Sequence, residues 1–233
     1  MRLLALDTAT EALSVALMDE SGVIADRFEV IGRGHAERVL PWVQALMTDA
    51  DWPMSSLDAI AVGRGPGAFT GVRIGVSAAQ GLAFGLNVPL LGVSDLAAVA
   101  AGAAARATQA RMSFGGVLVA LDARMGEVYA ALTRHDQGRV ILEWEALLSP
   151  PALHARVGGL ESLVLAGHVF SAHPTLAEAF SGSVACYVDE LPSARLVARL
   201  AAADYAAGHR PAAEALEPVY LRDDVANRAT PKT

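Results

Sequence analysis

The sequence predicts an α/β fold built of two similar halves, each led by a β-meander and facing each other across a cleft. Two observations carry this. Apolar strand patterns and helical patterns alternate along the chain, as they do in α/β domains. The second half also repeats the first: "LLALDTATEALSVALMDESGVI" and "LVALDARMGEVYAALTRHDQGRVI" align without a gap from the first strand into the second, so that Asp7 meets Asp122 and Leu17 meets Leu132. Both copies end in a polar turn with a glycine, Gly22 and Gly138, and "LDAIAVG" has a counterpart in "ESLVLAG", with Gly63 matching Gly167. A strand, an aspartate and a second strand held in one register signal a duplication rather than the general likeness of apolar hairpins.

In order, "RLLALDT", "ALSVALMD" and "GVIADRFEV" are strand candidates separated by "ATE" and "ESG", a meander of hairpins. "HAERVLPWVQALMTDA" sets Val39, Leu40, Val43, Leu46 and Met47 at helical spacing, with Pro41 predicted to bend the first turn. "SLDAIAVG" is a buried strand, "VRIGVSAAQGLAFGL" a helix that Thr70 could cap, and "VPLLGV" another strand. The alanine-rich "SDLAAVAAGAAARATQA" is a helix with Ser94 or Asp95 as its N-cap. "PSARLVARLAAADYAAG" is a helix that starts at Pro192 and Ser193 and stops at Gly208, with Leu196, Val197, Leu200, Ala203 and Ala207 as its buried stripe.

Composition bounds the function. A chain of 233 residues, 53% hydrophobic, can bury one generous core or two modest ones. The single cysteine, Cys186, excludes an intramolecular disulfide framework and a multi-cysteine zinc site and fits a reducing cytoplasm; in the apolar "VACYV" it reads as an inert buried thiol. Asp7 and Glu11 interrupt the opening apolar run before it could serve as a signal or span, so a cytoplasmic protein without membrane association is expected. With a net charge of −7 and no concentration of lysine or arginine, the chain is not expected to hold nucleic acid unaided.

The densest motif is "GRGPGAFTGVRIG", residues 63 to 75. It fails as a Walker A loop, because no glycine in it is followed by lysine, and as a dinucleotide fingerprint, because the third glycine position falls on Ala68 or Thr70. What remains is a tight strand-to-helix turn, with Arg73 the one side chain in it able to reach an anion. The six histidines form no H-x-x-x-H or H-E-x-x-H pair, and His35 reads as a polar helix terminus. Asp7 and Asp122 could face a cation across the cleft, but capping of the adjacent turn is at least as strong a reading. The helix after the loop carries two small-residue stripes, Gly71, Gly75, Ala79, Ala83 and Ala78, Gly81, Gly85. Each interior glycine costs roughly 0.5–1 kcal/mol relative to alanine, so close contact has to offset them.

A duplicated α/β unit with an aspartate ending each leading strand resembles the actin, sugar-kinase and heat-shock ATPase superfold, whose members grip nucleotide between the halves. Here "TATE" after Asp7 and "ARMGE" after Asp122 lack the glycine-rich, hydroxyl-bearing turn that phosphate needs. Within that superfold, "LDTATEALSVAL", "GHAERVLPWV", "GRGPGAFTGVRIG", "VPLLGVSDL" and "PVYLR" resemble, in family order from residue 1 to about 222, the TsaB (YeaZ) family. These are bacterial proteins needed to make threonylcarbamoyladenosine in tRNA.

The resemblance implies a non-catalytic subunit that pairs with TsaD, works with TsaE, forms a homodimer when alone, and meets tRNA only through the complex. TsaD carries a metal-binding H-x-x-x-H pattern at a place where this chain reads "GVSDLAAVAA", with Asp95 and Val99 at the histidine positions. No cofactor is therefore expected on this chain alone, and ATP or ADP and a divalent metal are expected on the partner subunits. The implied partner face comprises Leu40, Val43, Gly71, Ile74, Gly75, Ala78, Ala79 and Leu82; Asp7, Thr8 and Arg73 are candidate contacts for a nucleotide or anion. The implied organisation is an N-terminal half over 1–105 completed by 192–222, a smaller half over 106–191, and a disordered polar tail over 223–233. The competing readings are a nucleotide-dependent phosphotransferase or metallopeptidase of the same superfold, and a self-contained homodimeric regulator.

Overall fold

The computed structural model describes residues 1–136 and 139–222; the predicted tail and Gly138 lie outside them. The first sheet contains β1 (Leu3–Asp7), β2 (Ala12–Asp19), β3 (Gly22–Val30), β4 (Ala59–Gly63) and β5 (Leu90–Val93) in the order β3-β2-β1-β4-β5. The second contains β6 (Gly116–Asp122), β7 (Val128–Asp136), β8 (Arg139–Leu148), β9 (Leu163–Ala166) and β10 (Ala185–Tyr187) in the order β8-β7-β6-β9-β10. In each, three meander strands pair antiparallel and two further strands join the first in parallel. The two halves therefore repeat one topology, that of the superfold the sequence resembles.

The repeat slips by one residue in its hairpins. Leu17 pairs with Leu4, whereas Leu132 pairs with Leu118, the residue aligned with Leu3. The second hairpin loop is one residue shorter than the ungapped alignment implies, and both strands are buried on both faces, so either register keeps apolar residues inside.

Helices α1 (His35–Asp49) and α2 (Phe69–Leu86) cover one face of the first sheet, and α7 (Ala194–Ala206) covers the other. Pro41 lies in the second turn of α1 on its exposed side, and the helix continues through it. Helix α2 begins at Phe69 with Ala68 as N-cap, so Thr70 does not cap it. The stripe of α7 runs through Ala194, Val197, Ala198 and Ala201, while Ala203 and Ala207 are exposed. Helix α4 (Pro150–Val157) and the short α5 (Val169–Ala172) and α6 (Pro174–Glu178) pack on the second sheet around Leu153 and Phe170.

Helix α3 (Asp95–Gln109) lies inside the range assigned to the N-terminal half, yet most of its apolar surface meets the second sheet. Leu96, Val99, Ala100, Ala103 and Ala107 share a core with Val117, Val119 and Leu121. Ala98 faces the other way, into the cluster of α7. Ser94 is its N-cap, its Oγ accepting from the Ala97 N–H at 3.3 Å.

Candidate functional site

The glycine loop connects β4 to α2 and covers the end of β1. Its glycines are required by what lies beneath. A Cβ on Gly75 would stand 2.5 Å from Thr8 Oγ1, one on Gly71 would overlap the Thr8 carbonyl oxygen, and one on Gly67 would overlap that of Ala9. Thr8 is buried, and its hydroxyl donates to the Gly71 carbonyl at 2.7 Å. The loop is thus a close backbone approach between two chain segments, which is the use of glycine that the motif tests left standing.

Under the same loop two carboxyl groups meet. Asp7 and Asp95 are 1% and 0% exposed. Asp7 Oδ1 accepts the Ala9 N–H at 2.9 Å, and Asp95 Oδ2 accepts the Gly65 N–H. Asp7 Oδ2 and Asp95 Oδ1 find no other hydrogen-bond donor among the described residues and both lie beside Gly63, whose missing side chain makes room for them. Two carboxylates in that position repel, so a proton between them is the arrangement that satisfies both. Burial raises Asp95 well above the usual carboxylate range, and the neighbouring Asp7 pushes it further. Burial also raises Asp7, against the opposing effects of its hydrogen bonds to Asp95 and Ala9 and of His35 nearby. Both carboxyls are raised, Asp95 the more strongly, which favours a proton shared within the pair.

Asp122 occupies the matching position in the second half but is exposed. Its Oδ1 accepts the Arg124 N–H at 2.8 Å, the same two-residue turn that Asp7 makes with Ala9. Both aspartates thus cap their turns, as the more modest sequence reading has it. His168 Nε2 accepts the Asp122 N–H at 3.2 Å.

Arg73 stands apart from the two buried residues. Its guanidinium lies 3.6 Å from the ring centroid of Phe69, and its Nε donates to Tyr220 Oη at 2.7 Å. Asp7 and Thr8 come together under the loop, but their polar atoms are engaged internally and Arg73 is held by two aromatic rings. Arg73 is thus not brought into one site with Asp7 and Thr8. The contacts that join the two halves carry no signal in the sequence. Arg64 Nη2 reaches Glu145 Oε1 on β8 at 3.0 Å, and Ser94 Oγ donates to Glu145 Oε2 at 2.5 Å, joining the halves through one glutamate.

The set assigned to a partner face divides. Leu40 is 49% exposed, and Ile74, Ala78 and Leu82 are half-buried, packed along the edge of the first core. Val43, Gly71, Gly75 and Ala79 are corrected to inward positions, because they are buried against the first sheet and the Thr8 segment. Sequence periodicity leaves unassigned which of two small-residue stripes faces the sheet; Thr8 settles it. The outer stripe instead includes Gly81 and Gly85, where an added Cβ would meet nothing within 4 Å, and Phe84, which is 77% exposed. Cys186 is also corrected: it sits on the exposed edge strand β10, not in a core. His35 is buried at the start of α1, with Nε2 3.2 Å from the Ala12 carbonyl oxygen.

Among the described residues no group of three histidine, cysteine, aspartate or glutamate side chains could hold a metal, and no helix is long and apolar enough to cross a membrane.

This duplicated fold with a glycine-proline loop is the class to which comparison assigns the chain. Residues 24–230 match the family model of TsaD, tRNA N6-adenosine threonylcarbamoyltransferase. A tRNA threonylcarbamoyladenosine biosynthesis protein TsaB of Escherichia coli is 43% identical over 99% of both chains, and that of Haemophilus influenzae 35% identical over 99% of this chain and 98% of its own. YeaZ from Pseudomonas aeruginosa superposes with a TM-score of 0.82 at 42% identity, covering 94% of this chain and 99% of that one. A second P. aeruginosa structure, described as similar to peptidase YeaZ, gives the same score over 95% of this chain. The chain belongs to the TsaB (YeaZ) family of tRNA threonylcarbamoyladenosine biosynthesis proteins.

Proposed function

We propose that the chain is a non-catalytic subunit that pairs with TsaD, and acts with TsaE, in threonylcarbamoyl transfer to tRNA. The observation that carries this is the outer face of α1 and α2, where Leu40, Phe84 and the open Gly81 and Gly85 leave an apolar, small-residue surface that nothing among the described residues covers. A second backbone can approach such a face closely. The residues at the histidine positions of TsaD support the non-catalytic part of the reading. Val99 is fully buried in an apolar core, and Asp95 is committed to Asp7 and the Gly65 N–H.

Leu40→Arg and Gly81→Arg test it, since both sites have room for the side chain. Mixed with TsaD, the wild-type chain is expected to give a heteromer by light scattering and to support tRNA modification when TsaE is added. The variants are expected to melt like wild type yet weaken association by about 100-fold or more, the range of a lost hot spot. Intact pairing by both variants would reject this face. Peptidase or ATP-hydrolysing turnover by the purified chain alone would reject the non-catalytic role.

A further inference from the structure

The chain that follows α7 crosses from one half to the other. The Leu90 N–H donates to the Pro211 carbonyl at 3.2 Å, and the Gln80 amide donates to those of Ala213 and Leu216 at 3.3 and 2.9 Å. The Val219 N–H then donates to the Arg64 carbonyl at 2.8 Å, and Tyr220 rests on Phe69 and Arg73. Two residues after Tyr220, Arg222 lands on the turn between β6 and β7.

There its guanidinium is surrounded by acceptors. Nη2 donates to the carbonyls of Ala123 and Arg124 at 3.1 and 3.4 Å and lies 2.6 Å from Glu127 Oε2, while Nη1 is 3.6 Å from Met125 Sδ. The Arg222 side chain is 19% exposed. Asp122, the other carboxylate of the turn, is engaged by Arg124. Arg124, Met125 and Gly126 have φ of 67°, 57° and 76°, a left-handed course that turns successive carbonyls to one side at a steric cost to the two non-glycine residues. The three oxygens converge on Nη2 while Nη1 reaches the Met125 sulfur, so the turn engages two nitrogens of the planar group, a span that the compact ammonium of lysine does not have.

We propose that the turn Ala123–Glu127 is a guanidinium-binding site, and that Arg222 of the same chain occupies it and so clasps the return segment of the first half to the second half. The inference is independent of the partner face on α2, so the two stand or fall separately.

Hydrogen exchange on the full chain reads it directly. In Arg222→Ala, amides of residues 122–128 and of Val219 are expected to exchange about tenfold faster or more, because a charge-assisted contact is lost, while those of β1 and β4 keep their rates. Methylguanidinium at about 10 mM should restore protection in the turn by mass action, and methylammonium at the same concentration should not. Glu127→Gln, which leaves residues 219–222 untouched, should loosen the same amides, and the double variant should be no looser than the worse single one. Unchanged exchange in Arg222→Ala, or equal rescue by both cations, would overturn the proposal.

Discussion

Asp95→Asn is expected to keep the fold and to flatten the dependence of stability on pH, whereas Asp95→Ala is expected to lose about 2–4 kcal/mol at neutral pH. The sign follows from the raised carboxyls of the buried pair. A carboxyl whose folded pKa lies above its unfolded value binds its proton more tightly in the native state. Its contribution is complete below the ordinary carboxylate range of about 4 and is lost as pH rises through the folded value. Wild-type stability should therefore fall, relative to Asp95→Asn, as pH climbs above the ordinary carboxylate range of about 4. Asparagine fits because its amide can donate to Asp7 Oδ2 and its carbonyl can accept the Gly65 N–H, with no proton to release. Alanine leaves the Gly65 N–H without an acceptor and takes away the partner of the buried Asp7 Oδ2. Thermal melts of the three chains as pH rises check both statements; parallel curves for wild type and Asp95→Asn would mean that the pair does not share a proton.

Gly71→Ala is expected to destabilise the chain by about 2–3 kcal/mol, while Gly81→Ala, ten residues along the same helix, is expected to stabilise it by about 0.5–1 kcal/mol. The first Cβ runs into the Thr8 carbonyl, which is backbone and cannot swing aside. The second enters open space and removes only the conformational freedom of glycine in the unfolded chain. Urea titrations of the two variants give the comparison. Equal effects would mean that the tight approach of α2 to the Thr8 segment is not maintained in solution. Gly75 belongs with Gly71, so bulk placed there would disturb the fold rather than probe a partner.

The fold was largely legible because its evidence is periodic and repeated. Apolar runs of strand length, the Ser94 cap, the Gly208 stop and the duplicated aspartate units all act locally. The site was less legible because its decisive contacts join distant residues. Nothing near Asp95 in the chain announces Asp7, and Glu145, which ties Arg64 and Ser94 across the halves, sits in a stretch without a motif. The division of the small-residue stripes depends on Thr8, a residue about sixty positions before the helix it packs against. One signal was available: a glycine at 63, between two acidic positions, is where bulky carboxyl groups could converge. The hairpin slip shows the opposite failure, since strands buried on both faces give an alignment nothing with which to fix the register.

Helix α3 begins at Asp95, bonded to Asp7 and Gly65 of the first half, and then spends its length against the second sheet. Mechanically it is an axle with one end seated in each housing. Any rotation of one half against the other must either turn α3 within the second-sheet core, against close-packed alanines, or pull its first residue from the buried carboxyl pair. One helix thus ties the buried carboxyl pair of the first half to the apolar core of the second.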